Sequence, residues 1–155
     1  MELSFIRPPG DDVMQQLMEK VAFKNLKTYR NGLSEPIYNG GRIISSNGEM
    51  SQISNGIPFV FLLYIEFLMQ PNKIRGNHYH QKKDEFMYII KGRLRAVYED
   101  IDTNERQSMI LEEGALVNVK PRCAHIYIPL EYTQAIEFSP NEYDDADTLI
   151  YTINE

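Results

Sequence analysis

Two imidazoles of this 155-residue chain stand two positions apart in Arg75-Gly76-Asn77-His78-Tyr79-His80, and a carboxylate, Glu85, follows five residues after the second. On a strand, residues i and i+2 share a face, so His78 and His80 aim into one space. A turn through Gln81-Lys82-Lys83 lets the next strand bring Glu85 beside them, and Gly92 closes the stretch. The third histidine, His125, lies far along the chain in Lys120-Pro121-Arg122-Cys123-Ala124-His125. Three imidazoles and one carboxylate form a ligand set that Zn, Fe, Mn or Ni accepts, so His78, His80, Glu85 and His125 are the expected metal ligands. Any one of these histidines taken alone reads as an ordinary surface or core residue. The His-x-His pair with an acid on the following strand is what favours a cluster.

The elements that must position this set are mostly short strands. Between Val13 and Lys27 apolar residues recur at helical spacing, at Val13, Leu17 and Val21 with Met14, Met18 and Ala22 alongside. This predicts an N-terminal helix over about residues 11–30, capped by Asp11 or Asp12, stopped at Asn31-Gly32 and packed on its own sheet. Beyond it, Asn39-Gly40-Gly41, Asn47-Gly48 and Asn55-Gly56 punctuate the chain as turns do between strands. Strands are expected at Arg42 to Ser46, Pro58 to Met69, the histidine segment, Gln107 to Leu111, Ala115 to Val119, His125 to Pro129 and Gln134 to Phe138. Glu85 to Ile90 and Arg93 to Glu99 are expected to form a hairpin through Lys91-Gly92, with a solvated tip at Asp100 to Glu105. A helix followed by many short strands indicates a single all-β domain, with a barrel over about residues 40–138 and an acidic C-terminal segment over 139–155. The mouth or interior of such a barrel suits a small molecule.

Composition narrows the function classes. Hydrophobic content of 43% and charged content of 25% are those of an ordinary globular protein. A formal net charge of −6, with no gathering of Lys and Arg, argues against nucleic-acid binding. A single cysteine, Cys123, leaves no internal disulfide framework. The N-terminus carries no secretory pattern, and the longest apolar run, Ile57 to Met69, is interrupted by Pro58 and Glu66 and is too short for a bilayer span. The expectation is a cytoplasmic protein without membrane contact.

With these residues in view, the chain resembles a cupin. His78, His80, Glu85 and Gly92, with Gly76 just ahead, match the first cupin motif. Gly114 and His125 match the second in part, with Arg122 where a glycine is often found and Pro129 in place of a terminal asparagine. The resemblance implies a double-stranded β-helix, or jelly-roll, barrel in which the three histidines and the glutamate ligate a divalent metal. A narrower similarity, carried by Asn55 to Phe59, Arg75 to His80 and Phe138 to Asp144, is to sugar-nucleotide cupins: the dTDP-sugar 3,4-ketoisomerases and the dTDP-4-dehydrorhamnose 3,5-epimerases. It implies His78 as base, Tyr64 as an assisting tyrosine on the preceding strand and Tyr143 as the loose equivalent of an epimerase acid. The ketoisomerases carry glutamine at the position of Glu85 and work without metal, so Glu85 pulls towards a metal cupin.

The leading expectation is therefore an isomerase or epimerase of a 4-keto nucleotide sugar in surface-polysaccharide synthesis, acting as a homodimer. Carbon adjacent to a keto group is acidic enough for a placed imidazole to deprotonate, and the enediolate needs electrostatic support. Arg75, Arg93, Arg95 and Lys120 are candidates for clamping the diphosphate. Two other expectations stand beside it: a non-catalytic metal- or sugar-binding module, and a small Fe-dependent oxygenase.

Overall fold

The computed structural model describes residues 14–30 and 41–154. The expected cap at Asp11 or Asp12 and the Asn31-Gly32 stop lie outside the described residues. In chain order the strands are β1 (Gln15–Met18), β2 (Val21–Asn25), β3 (Lys27–Arg30), β4 (Gly41–Ser45), β5 (Gly48–Ser51), β6 (Phe61–Phe67), β7 (Arg75–His80), β8 (Glu85–Lys91), β9 (Arg93–Asp100), β10 (Arg106–Glu112), β11 (Ala115–Val119), β12 (Cys123–Pro129), β13 (Thr133–Ser139) and β14 (Thr148–Ile150). A single 3-10 turn, Asp145–Asp147, precedes β14.

Two antiparallel sheets make a β-sandwich of jelly-roll type, one six-stranded in the order β1-β2-β11-β8-β13-β6 and one five-stranded in the order β10-β9-β12-β7-β14. The strands β3, β4 and β5 form a separate small sheet. Period-2 alternation decides what enters the space between the two large sheets. Met87 and Ile89 of β8, Leu94, Ala96 and Tyr98 of β9, Val117 of β11, Tyr127 of β12 and Ala135 of β13 are buried together in the main core. The alternate residues of β8 and β13, Phe86, Tyr88 and Phe138, join Leu26 and Leu116 in a second cluster on the other face of the six-stranded sheet. Val97, Ala124 and Ile126 do the same for the five-stranded sheet.

Two sequence expectations are corrected. The segment expected to be an N-terminal helix is extended: β1 pairs antiparallel with β2, and β2 lies against the edge of β11. Met18 and Val21 are buried, and Leu17 and Phe23 pack on the same core. The apolar residues thus satisfy a sheet edge instead of a helix face, and the ladder to β11 supplies backbone hydrogen bonds that an isolated turn of helix would have to make alone. Secondly, β8 and β9 do not form a hairpin. Strand β8 pairs with β11 and β13, whereas β9 pairs with β10 and β12. The turn at Gly92 carries the chain across from one sheet to the other. The same crossing occurs between β7 and β8, so Glu85 faces the histidines from the opposite sheet. Among the described residues no helix is long and apolar enough to cross a membrane.

Candidate functional site

The histidine strand β7 is bent at its start. Gly76 and Asn77 both have positive φ, 105° and 56°, and the pairing with β12 slips between His125 and Ile126. A Cβ on Gly76 would lie 2.3 Å from the His125 carbonyl oxygen, so this close approach of β7 to β12 requires glycine. Asn77 tolerates the left-handed region, and its Oδ1 accepts a 3.1 Å hydrogen bond from the Ile153 N–H. Beyond the bulge Tyr79 joins the outer cluster, while His78 and His80 face the interior.

The three imidazoles converge. Ring centroids are 5.0 Å apart for His78 and His80, 4.7 Å for His78 and His125, and 6.2 Å for His80 and His125. From β8, Glu85 places Oε2 3.2 Å from His80 Nε2 and Oε1 3.5 Å from His125 Nε2. His80, Glu85 and His125 are buried, whereas His78 is partly open to solvent. His78 Nδ1 lies 3.2 Å from the Gly76 carbonyl oxygen; when Nδ1–H donates there, Nε2 of the neutral ring keeps its lone pair.

Two further charged residues belong to the cluster. Lys83 Nζ is 3.3 Å from Glu85 Oε2, ion-paired with Glu137 of β13, and 4.5 Å over the ring of Phe61. The turn carrying Lys83 is fixed by Asp147, whose carboxylate accepts from the backbone N–H groups of Gln81, Lys82 and Lys83 at 3.0, 2.9 and 3.0 Å. We expect Asp147→Ala to cost roughly 2–4 kcal/mol, because three backbone donors, one buried and two partly buried, lose a charged acceptor. A urea midpoint within error of wild type would show that water replaces the carboxylate without loss.

Burial pushes His78 and His125 down, the latter to about 4, against the opposing pull of Glu85. Both rings are therefore neutral at pH 7. Burial works against ionisation of Glu85, but His125, the hydrogen bond from His80 and the Lys83 ammonium hold it well below the usual carboxylate range. Burial likewise pulls Lys83 down, and Glu85 and Glu137 outweigh it, so the ammonium stays charged. Burial and the nearby Glu85 push Glu137 up in spite of Lys83.

These side chains do not fit a metal cage as they are arranged. Among the described residues no group of three or more His, Cys, Asp or Glu is disposed to hold a metal ion. Glu85 Oε2 already faces both His80 Nε2 and the Lys83 ammonium. A dication about 4 Å from that ammonium would meet a repulsion of roughly 8 kcal/mol at an effective dielectric of about 20.

The remaining sequence candidates are scattered. Tyr64 stands on the opposite face of β6 from Ile65 and Phe67, which pack on the interior core, and its hydroxyl accepts from Gln134 Nε2 at 2.7 Å. It is thus on the outer face of the sheet, away from His78. Tyr143 is exposed at the rim, stacked on Phe61 at 5.9 Å with its hydroxyl donating to Asp145 at 2.6 Å. Arg93 and Arg95 alternate with the buried Leu94, Ala96 and Tyr98, which places them on the outer face of the five-stranded sheet. Lys120 is exposed and paired with Asp84 at 2.8 Å. Arg75 reaches across to β6, donating from Nε to the Glu66 carbonyl at 3.2 Å and covering the Phe67 ring.

Lys83, Glu137 and Asp147 were not singled out from sequence. Lys83 had a usable signal, being two residues before Glu85 and so on its face if the strand extends backwards. Glu137 had another, a charge in phase with Ala135 on an apolar strand. For Asp147 the acidic tail gave none.

No protein-family model matches the chain, and no curated protein matches it. Solved structures do. A mutant of the 3,4-ketoisomerase QdtA from Thermoanaerobacterium thermosaccharolyticum, in complex with TDP-4-keto-6-deoxyglucose, aligns with TM-score 0.67 and 15% identity over 86% of this chain and 88% of that one. The chain shares the fold of this enzyme. The TDP-quinovose 3,4-ketoisomerase WlaRB from Campylobacter jejuni aligns with TM-score 0.66 and 16% identity over 86% and 94%. The dTDP-4-dehydrorhamnose 3,5-epimerase from Sulfolobus tokodaii gives TM-score 0.69 and 16% identity over 91% and 82%.

Proposed function

We propose that the chain is an isomerase or epimerase of a 4-keto nucleotide sugar, with His78 as the base. The observation that carries this is His78 itself: a neutral, partly open imidazole whose Nδ1 is committed to the Gly76 carbonyl, leaving Nε2 free to take a proton. The shared fold with enzymes of that class supports the substrate. In the reaction Nε2 removes the proton from C3, the C–H electron pair moves into the C3–C4 bond, and the C4 carbonyl oxygen becomes the enediolate oxygen. Return of a proton to C4, with transfer of the hydroxyl proton from O3 to O4, gives the 3-keto isomer; return to the opposite face of C3 gives the epimer. Glu85 holds His80 and, across the site, faces His125, which keeps the imidazole wall in place. Arg75 is the cation best placed to meet the diphosphate.

The test is turnover of TDP-4-keto-6-deoxyglucose in deuterated water, followed by NMR. Deuterium entering C3, with or without a new keto isomer, is the expected result. Exchange no faster than in buffer would defeat the proposal.

The proposal extends to a homodimer. Strand β6 ends its sheet, with no further strand beside it among the described residues, and Val60, Leu62, Leu63, Leu68 and Met69 are exposed along it. Open apolar edges of this kind are usually covered. Sedimentation equilibrium is expected to give twice 18.1 kDa, and Leu62→Lys to shift the mass towards one chain; a wild-type monomer at micromolar concentration would remove this part.

A further inference from the structure

We propose that Lys83 is the resident cation of this site and that its ammonium takes the place of a divalent metal. A His-x-His pair, a distant histidine and a glutamate supply the donor types of a transition-metal centre, and in this chain those four side chains meet. A metal centre of that composition needs the carboxylate as a bound anion and leaves no reason to bury a further positive charge against it. Lys83 is buried there all the same, 3.3 Å from Glu85 and paired with Glu137 on the other side.

The pairing is built rather than incidental. Phe61 lies under the ammonium at 4.5 Å, and Asp147 holds the backbone of residues 81–83 through three hydrogen bonds. Glu137 adds a second, partly buried carboxylate, which a single ammonium then shares with Glu85. Protein groups alone therefore bring the charge to within one unit of balance. Remove the ammonium and two carboxylates face three imidazoles with no cation among them, which is a richer ligand set than a typical catalytic zinc site possesses.

The experiment uses metal alone and no substrate, so its outcome is separate from the isomerase proposal. The purified full chain is incubated with Zn²⁺, Ni²⁺, Mn²⁺ or anaerobic Fe²⁺, desalted, and its metal content measured. Wild type is expected to retain less than about a tenth of an equivalent. Lys83→Met is expected to retain close to one equivalent of Zn²⁺ or Ni²⁺, with a thermal shift on metal addition that wild type lacks. Lys83→Arg, which keeps the charge, is expected to behave as wild type. Should Lys83→Met fail to fold without metal, refolding in Zn²⁺ that restores the native circular dichroism spectrum counts in favour. Stoichiometric retention by wild type that is lost in His125→Ala overturns the proposal, and so does a folded Lys83→Met that takes up no metal.

Discussion

His78→Asn lowers C3 deuterium exchange by about a thousandfold, the middle of the range that positioned general bases contribute. Asparagine retains a polar head and the strand position but has no lone pair basic enough to hold a carbon acid's proton. Stability should change little, since His78 is partly open and its ring bonds to the carbonyl of Gly76, its own strand neighbour. A urea midpoint near that of wild type accompanies the loss, which separates chemistry from folding. The pH profile follows from the direction of the His78 shift. A base must be neutral to act, and burial pushes His78 below its ordinary 6.5. The wild-type rate is thus level at neutral pH and falls on the acid side, with its midpoint below 6.5. Removal of Glu85, which supports the charged form of His78, moves that midpoint further down. Exchange by His78→Asn within tenfold of wild type would transfer the role of base to another group.

Much of this site was legible because it obeys period-2 geometry. His78, His80 and Glu85 needed only strand alternation and one turn to be set facing each other, and the all-β jelly roll that holds them followed from many short strands at regular spacing. The readings that failed share a cause: local spacing does not say what lies alongside. Leu17, Met18 and Val21 satisfy a helix face and a strand packed on β11 about equally well, and only the open edge of β11 decides between them. A two-residue turn at Lys91-Gly92 looks the same whether its strands pair or part into opposite sheets. Tyr64 sits one residue from Ile65, so its direction depended on which parity of β6 faces the core. Lys83 escaped notice because a lysine in a Gln-Lys-Lys turn is ordinarily solvated, and its burial depends on Glu137 from a strand some fifty residues later.

Gly92→Ala is expected to carry a large cost in stability. The residue has φ of +93°, which a side chain resists by roughly 1–2 kcal/mol. The larger part comes from what surrounds it. A Cβ there would lie 2.3 Å from the Tyr132 carbonyl oxygen and 2.5 Å from Thr133 Oγ1, and neither can retreat cheaply. The Thr133 hydroxyl is buried, donates to the Arg93 carbonyl at 3.1 Å and accepts from the Arg93 N–H at 2.9 Å. Making room for a methyl group therefore breaks the clasp by which β13 secures the crossing from β8 to β9. Overpacking typically adds about 1–3 kcal/mol, so a total near 4 kcal/mol is expected, a large share of the roughly 5–15 kcal/mol that stabilises a domain. Gly48→Ala provides the control. Its φ is +110° but no atom lies within 4 Å of the added Cβ, so only the backbone term remains. Urea unfolding of the two variants separates strain from contact: Gly92→Ala should fall well below Gly48→Ala, and equal losses would mean that the crossing yields to the extra carbon. Because Gly92 also launches the strand whose Tyr98 opposes His125, a variant that still folds should show weakened C3 exchange, the turn reaching the site through β9 and β12.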